Sequence, residues 1–257
     1  EGTAALQVTA EDAGEEISAV VMLGDEVVRV KAMVCSKVIS DAATLKEAMN
    51  MWYSPSESGG DHGYYLLVND LLDVGNLGEI KVANEFSGTF NGMGHTVTMT
   101  GGASRGLFNV TDSATIMNAK FVATNMQQSW GRHIIAQRVT NTTFKNCQFE
   151  YSLSGIGTWD AQGGILCAQQ GGGPSTVQNC TFTNTGTEAA KLMWGFVSNA
   201  TYQFPSFVKL SGNTLTGAIE HFGCMTTGGN AVSAITGYWD FSASAAGQLV
   251  KYVAPEA

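Results

Sequence analysis

The acidic side chains in the middle of the chain are the first candidates for chemistry. Between residues 86 and 241 they are Asp112, Glu150, Asp160, Glu188, Glu220 and Asp240. Glycoside hydrolysis needs two carboxylates facing each other across the bond to be cut. No two of these acids hold equivalent places in the local pattern. Asp160 is the weak candidate for a catalytic carboxylate, and Arg132 or Lys191 would be the base beside a lyase-type Ca²⁺ cluster. His62, His95, His133 and His221 are dispersed. His95 sits between a glycine turn and a β-branched run, where a turn-bonding imidazole fits better than a base. Gly102-Ala-Ser-Arg-Gly106 has nucleophile-elbow spacing. That motif needs a strand before it and a helix after it, whereas here a strand follows. Cys35, Cys147, Cys167, Cys180 and Cys224 contain no C-x-x-C pair and read as small buried hydrophobes. No metal and no cofactor are expected.

The tryptophans point to binding. Trp130, Trp159 and Trp194 each fall shortly before an apolar segment. If those segments stack, the three indoles line one side and offer flat apolar faces to sugar rings. Gln169 and Gln170, which open a Gln-Gln-Gly-Gly-Gly loop, would supply amides to the hydroxyls. These five residues form the expected carbohydrate-binding set. The competing account places the indoles in the core or under loops.

Such a row requires elements that repeat. Residues 116–121 (IMNAKF), 144–149 (FKNCQF), 177–182 (VQNCTF) and 209–215 (KLSGNTL) share one frame. They end at Phe121, Phe149, Phe182 and Leu215, in steps of 28, 33 and 33. A second apolar strand precedes each: residues 106–110, 133–137, 164–168 and 195–199. A weaker fifth copy runs from residue 221 to Phe241. Two short strands per period near 30 predict stacked units, each burying its apolar face on the next. Stacking sets Phe149 near Phe182 and Cys147 near Cys180, a pair whose disulfide would depend on geometry. Asn118, Asn146 and Asn179 form an asparagine ladder at one corner, since asparagine tolerates left-handed backbone. The sequon matches at Asn109, Asn141, Asn179 and Asn199 follow from Thr- and Asn-rich composition, with Asn179 expected to be buried.

Ahead of the repeat, residues 17–34 read as a β-hairpin turning at Gly24-Asp25. Its first arm is nearly all apolar and is expected to be buried or paired along both edges. Its second arm alternates Val28, Val30 and Ala32 with Arg29 and Lys31, which predicts one wet face. Leu45, Ala48, Met49 and Trp52 recur at helical spacing and predict a helix over 41–53. Its capping box would be Thr44–Glu47, with Asp41 as the alternative start. A strand is expected at Tyr64–Val68.

Composition fits such a protein. Charged residues make up 14% of the 257, below the roughly 25% usual in globular chains. The 44% of hydrophobic residues is enough to bury a core. The net charge of −9 disfavours nucleic acid and anionic membrane surfaces as partners. No run of apolar residues is long enough for membrane insertion as a helix.

The stretch FSGTFNGMGHTV (86–97), followed by RGLFNVTDSATIMNAKF (105–121), resembles the "GTF-G-GHT … GLF … I-N" pattern of right-handed parallel β-helix domains. These belong to the pectate-lyase-like superfamily and occur in bacterial secreted and cell-surface proteins, often adhesin-like. The resemblance covers about residues 41–245. It implies an all-β chain: a single-stranded right-handed parallel β-helix (a solenoid) over 41–257, with an N-terminal capping helix. Residues 1–40 are the lead-in and hairpin. The function expected is a secreted or cell-surface, non-catalytic module, adhesin-like or structural, with a glycan or a host surface protein as partner. The alternatives are a polysaccharide lyase or glycoside hydrolase with a loop-built site, and a surface-assembly subunit joined by addition of strand Ile17–Leu23.

Overall fold

A computed structural model describes residues 14–24, 26–52, 62–74, 85–100, 107–126, 135–153, 164–170, 175–186, 190–197, 208–217, 219–226, 238–240 and 251–253. The fold is all-β and built mainly from parallel sheets, with one helix among the described residues.

The chain opens with β1 (Glu16–Leu23) and β2 (Glu26–Met33), an antiparallel pair. Gly24 turns between them with a φ of 65°, a left-handed value that suits a tight hairpin. Next come β3 (Lys37–Ile39), α1 (Ala42–Met51), β4 (Tyr64–Leu67), β5 (Glu85–Phe86), β6 (Thr89–Asn91) and β7 (Thr96–Thr100). Strands then follow in threes: β8 (Asn109–Asp112), β9 (Thr115–Met117) and β10 (Lys120–Met126); β11 (Ala136–Thr140), β12 (Thr143–Lys145) and β13 (Gln148–Leu153); β14 (Gly164–Gln170), β15 (Ser175–Gln178) and β16 (Thr181–Asn184); β17 (Ala190–Val197), β18 (Val208–Ser211) and β19 (Thr214–Thr216). After β20 (Ile219–Thr226), β21 (Tyr238–Asp240) pairs antiparallel with β22 (Lys251–Val253).

Each trio sends one strand to each of three parallel sheets. The first holds β5, β8, β11, β14, β17 and β20 in that order. The second holds β3, β4, β6, β9, β12, β15 and β18, and the third β7, β10, β13, β16 and β19. The unit therefore has three strands rather than the expected two. The motif read as one strand, such as VQNCTF, is β15, a corner and β16. The fifth copy is also corrected: β20 joins the first sheet, but Tyr238–Asp240 pairs only with β22 among the described residues.

Register does the packing. In the third sheet Val97, Phe121, Phe149, Phe182 and Leu215 lie side by side. The rings of Phe121 and Phe149 stack at 5.5 Å and 13°, those of Phe149 and Phe182 at 4.9 Å and 8°. Tyr65, Phe90, Ile116, Phe144 and Val177 form the matching buried column of the second sheet. Stacking like on like lets each unit close the apolar face its neighbour leaves open.

The helix covers the β3–β4 end of this core. Leu45, Ala48, Met49 and Trp52 are buried, and the Trp52 ring lies 4.7 Å from Phe108, 5.0 Å from Phe86 and 5.6 Å from Tyr65. The N-cap is Asp41, not Thr44. The Thr44 amide donates to Asp41 Oδ1 at 2.8 Å, and the Asp41 amide donates to Thr44 Oγ1 at 3.0 Å. Glu47, the expected box partner, pairs with Lys37 instead.

The hairpin departs from expectation most. Its strands and turn fall where the sequence predicts, yet the first arm is neither buried nor paired on both edges. Among the described residues β1 pairs with β2 alone, and Val20 and Met22 are 54% and 70% exposed.

Candidate binding face

The corner between the second and third sheets is built by asparagine. Asn118, Asn146 and Asn179 take φ values of 54°, 55° and 53°, a region most side chains avoid. The side chains form a one-way ladder. Asn146 Nδ2 donates to Asn118 Oδ1 at 3.1 Å, Asn118 Nδ2 to Asn91 Oδ1 at 3.2 Å, and Asn91 Nδ2 to the Tyr64 hydroxyl at 3.0 Å. Asn179 is exposed rather than buried, because a left-handed corner turns its side chain outward. In the fourth unit Gly212 takes this corner, with a φ of 64°.

Just inside the corner sits a thiol column. Cys147 and Cys180 are buried and free, so the disulfide is absent. The Cys147 amide donates to Cys180 Sγ at 3.4 Å, and the Cys180 amide donates to Asn213 Oδ1 at 2.8 Å. The hydrogen bond shared with Cys180, together with burial, pushes the Cys147 thiol well above its ordinary range. It is a packing group, not a nucleophile.

The outward face of the second sheet carries Thr89, Thr115, Thr143 and Thr176, aligned in register on four successive strands and all half-buried. Beside them run Asn91, Met117, Lys145, Gln178 and Ser211. The third sheet adds Thr181, Thr183, Thr214 and Thr216. Adjacent strands set such hydroxyls about 4.8 Å apart. Threonine hydroxyls both donate and accept, so this face offers evenly spaced neutral partners to a polyhydroxylated chain. The sequence carries the signal as Thr-apolar-x-Asn at 115–118, 143–146 and 176–179. Attention to the asparagine alone misses the threonines.

The anticipated binding set is only partly visible. Trp130 and Trp159 lie outside the described residues, as does Asp160. Trp194 lies within β17, opposite Gly223 of β20, and not ahead of the strand as expected. Gln169 and Gln170 end strand β14, beside Arg138 and Val139, so both are strand residues, and the glycines that follow lie outside the described residues. Gln169, Gln170 and Trp194 thus share the first sheet, in neighbouring strands. That sheet is not the one bearing the threonine rows.

Among the candidate acids with described side chains, Asp112 and Glu150 do not converge. Asp112 accepts from Ser113, and Glu150 pairs with Lys120 at 3.1 Å, in different sheets. His95 Nδ1 lies 3.2 Å from Asp70 Oδ1, which also accepts the Thr96 amide at 2.8 Å. The Thr96 amide first, then His95, hold the Asp70 carboxyl below its usual range. This tie seats Leu71 against Val97, so His95 serves the fold. Among the described residues no three His, Cys, Asp or Glu side chains gather in a way that could hold a metal ion. No helix among them is long and apolar enough to cross a membrane. Comparison with family models, curated proteins and solved structures finds no match.

Proposed function

We propose that this chain is a right-handed parallel β-helix serving as a secreted or cell-surface, non-catalytic module that binds neutral glycans along its threonine-bearing face. The order in which the chain visits three parallel sheets supports the β-helix, and parallel crossovers are right-handed in about 98% of cases. The in-register row Thr89, Thr115, Thr143 and Thr176 carries the binding reading. The row from Thr89 to Thr176 is uncharged and regular, with Lys145 in the adjoining column and Lys209 next in register, and its hydroxyls suit a polymer of hydroxyls. Trp130, Trp159 and Trp194 would add stacking platforms for sugar rings.

The test is an array of neutral and acidic polysaccharides probed with the full chain and with a Thr115→Val, Thr143→Val, Thr176→Val variant. These substitutions keep shape and remove hydroxyls. Retention of a neutral glycan that the variant loses supports the reading. No retention, or equal retention by both proteins, overturns it. Trp130→Ala and Trp159→Ala separate the indole contribution from the hydroxyl contribution.

A further inference from the structure

The β1–β2 hairpin is the feature that the proposed binding role leaves unused. It is held at its base by the Gly14 amide donating to the Val34 carbonyl at 2.8 Å and the Val34 amide donating to the Glu15 carbonyl at 3.0 Å. Beyond that base no other described strand pairs with either arm. Its faces differ. One mixes Glu16, Ser18, Arg29 and Lys31 with the exposed Val20, Met22 and Val27, and Lys31 pairs with Glu16 at 2.7 Å. The other carries Ile17, Ala19, Val21, Val28, Val30 and Ala32, without a charge until Glu26 at the tip. Val30, on this second face, is 53% exposed. A lone two-stranded hairpin is marginal in water, and long uncharged edges are templates for another strand.

The register says which edge is available and to what. Leu23 and Glu26 close the two-residue turn and are mutually hydrogen-bonded in such hairpins. Alternation then gives Leu23, Val21, Ala19 and Ile17 to the β2 ladder. The amides and carbonyls of Met22, Val20, Ser18 and Glu16 point to the open edge. Two identical antiparallel edges can meet about a two-fold axis only where a residue faces itself. With Val20 on the axis, Ser18 meets Met22 of the second copy and Ile17 meets Leu23, both ways round. Glu16 falls past the partner strand's end, so the whole contact from Ile17 to Leu23 is uncharged. A two-fold contact along the length of the β2 edge would enclose Arg29 or Lys31, which sit mid-strand, so it has no uncharged solution.

We propose that β1 adds edge-to-edge to β1 of a second copy of this chain, Val20 against Val20, forming a four-stranded antiparallel sheet that joins two molecules. Sedimentation of the full chain across a wide concentration range tests this. The expected result is a reversible dimer. Val20→Pro removes an amide that points only to the open edge, and Val20→Lys sets two ammonium groups face to face. Each should raise the dimer dissociation constant about a hundredfold or more while leaving the far-ultraviolet circular dichroism unchanged. Val28→Lys, on β2 and away from that edge, should leave the dimer in place. A chain that stays monomeric throughout, or a dimer that both Val20 variants leave intact, overturns the proposal.

Discussion

The hairpin and the stacked strands are made of similar residues and have opposite fates. β1 reads EISAVVML and is richer in Val, Ile and Met than the strands of the second and third sheets, which draw on the same apolar residue types. Phe149 is 1% exposed, whereas Met22 is 70% exposed. The difference is not hydrophobicity but what the next strand offers. Phe149 has a ring on either side at the same register position. Val20 has Arg29 on one side and no described strand on the other. Burial here belongs to the repeat, and an apolar strand without a repeat stays wet until another chain arrives.

Substitutions can break this contrast. The largest effect falls on Phe149→Ala, which opens a gap between two stacked rings and should cost about 3–5 kcal/mol in urea unfolding. Asn146→Ala removes a ladder rung and leaves a left-handed corner without a suitable side chain. A loss of about 1–3 kcal/mol is expected. Asn146→Gly, which accepts that backbone, should lose less, and the gap between the two variants isolates the strain. Acid comes next. The Thr44 amide, followed by the Thr44 hydroxyl, lowers the Asp41 carboxyl, as Thr96 and His95 lower that of Asp70. Their contribution is complete above the unfolded value of about 3.9 and drains away as pH falls through the lower folded values. A double Asp41→Asn, Asp70→Asn variant should flatten the fall in melting temperature below about pH 4. Should the variant keep the wild-type slope, other carboxylates set it. The smallest effect belongs to Val30→Thr on the hairpin, within about 0.5 kcal/mol in unfolding of the dilute protein. A core-sized loss there would show the hairpin to be packed.

Much of this was legible because repeats write the same environment several times. The Phe and Asn ladders follow from spacing, since in-register stacking turns a recurring residue into a column. The third strand of each unit was hidden because β9, β12 and β15 are short and run into the corner asparagine without a glycine or proline break. The position of Trp194 misled because β17 starts at Ala190, well before the apolar segment. The threonine rows were overlooked because hydroxyl side chains at half-buried positions carry no hydrophobic period of their own. The exposure of β1 could not be read at all, since an apolar strand looks the same whether its partner lies in the chain or in another copy.

The asparagine ladder bears on chemical ageing. Asn91-Gly92 is the dipeptide most open to succinimide formation, because glycine lets its backbone nitrogen swing onto the preceding side-chain carbonyl carbon. Here that nitrogen donates to the Met117 carbonyl at 2.8 Å, and Gly92 packs so closely on Ala119 that a Cβ would lie 2.4 Å from its methyl. The Asn91 amide is fixed at both ends, giving a hydrogen bond to Tyr64 and taking one from Asn118. The nucleophile and the electrophile are both occupied. The folded chain keeps this site intact for as long as the corner stays stacked, and slow conversion of Asn91 to an aspartate would record how often it comes apart.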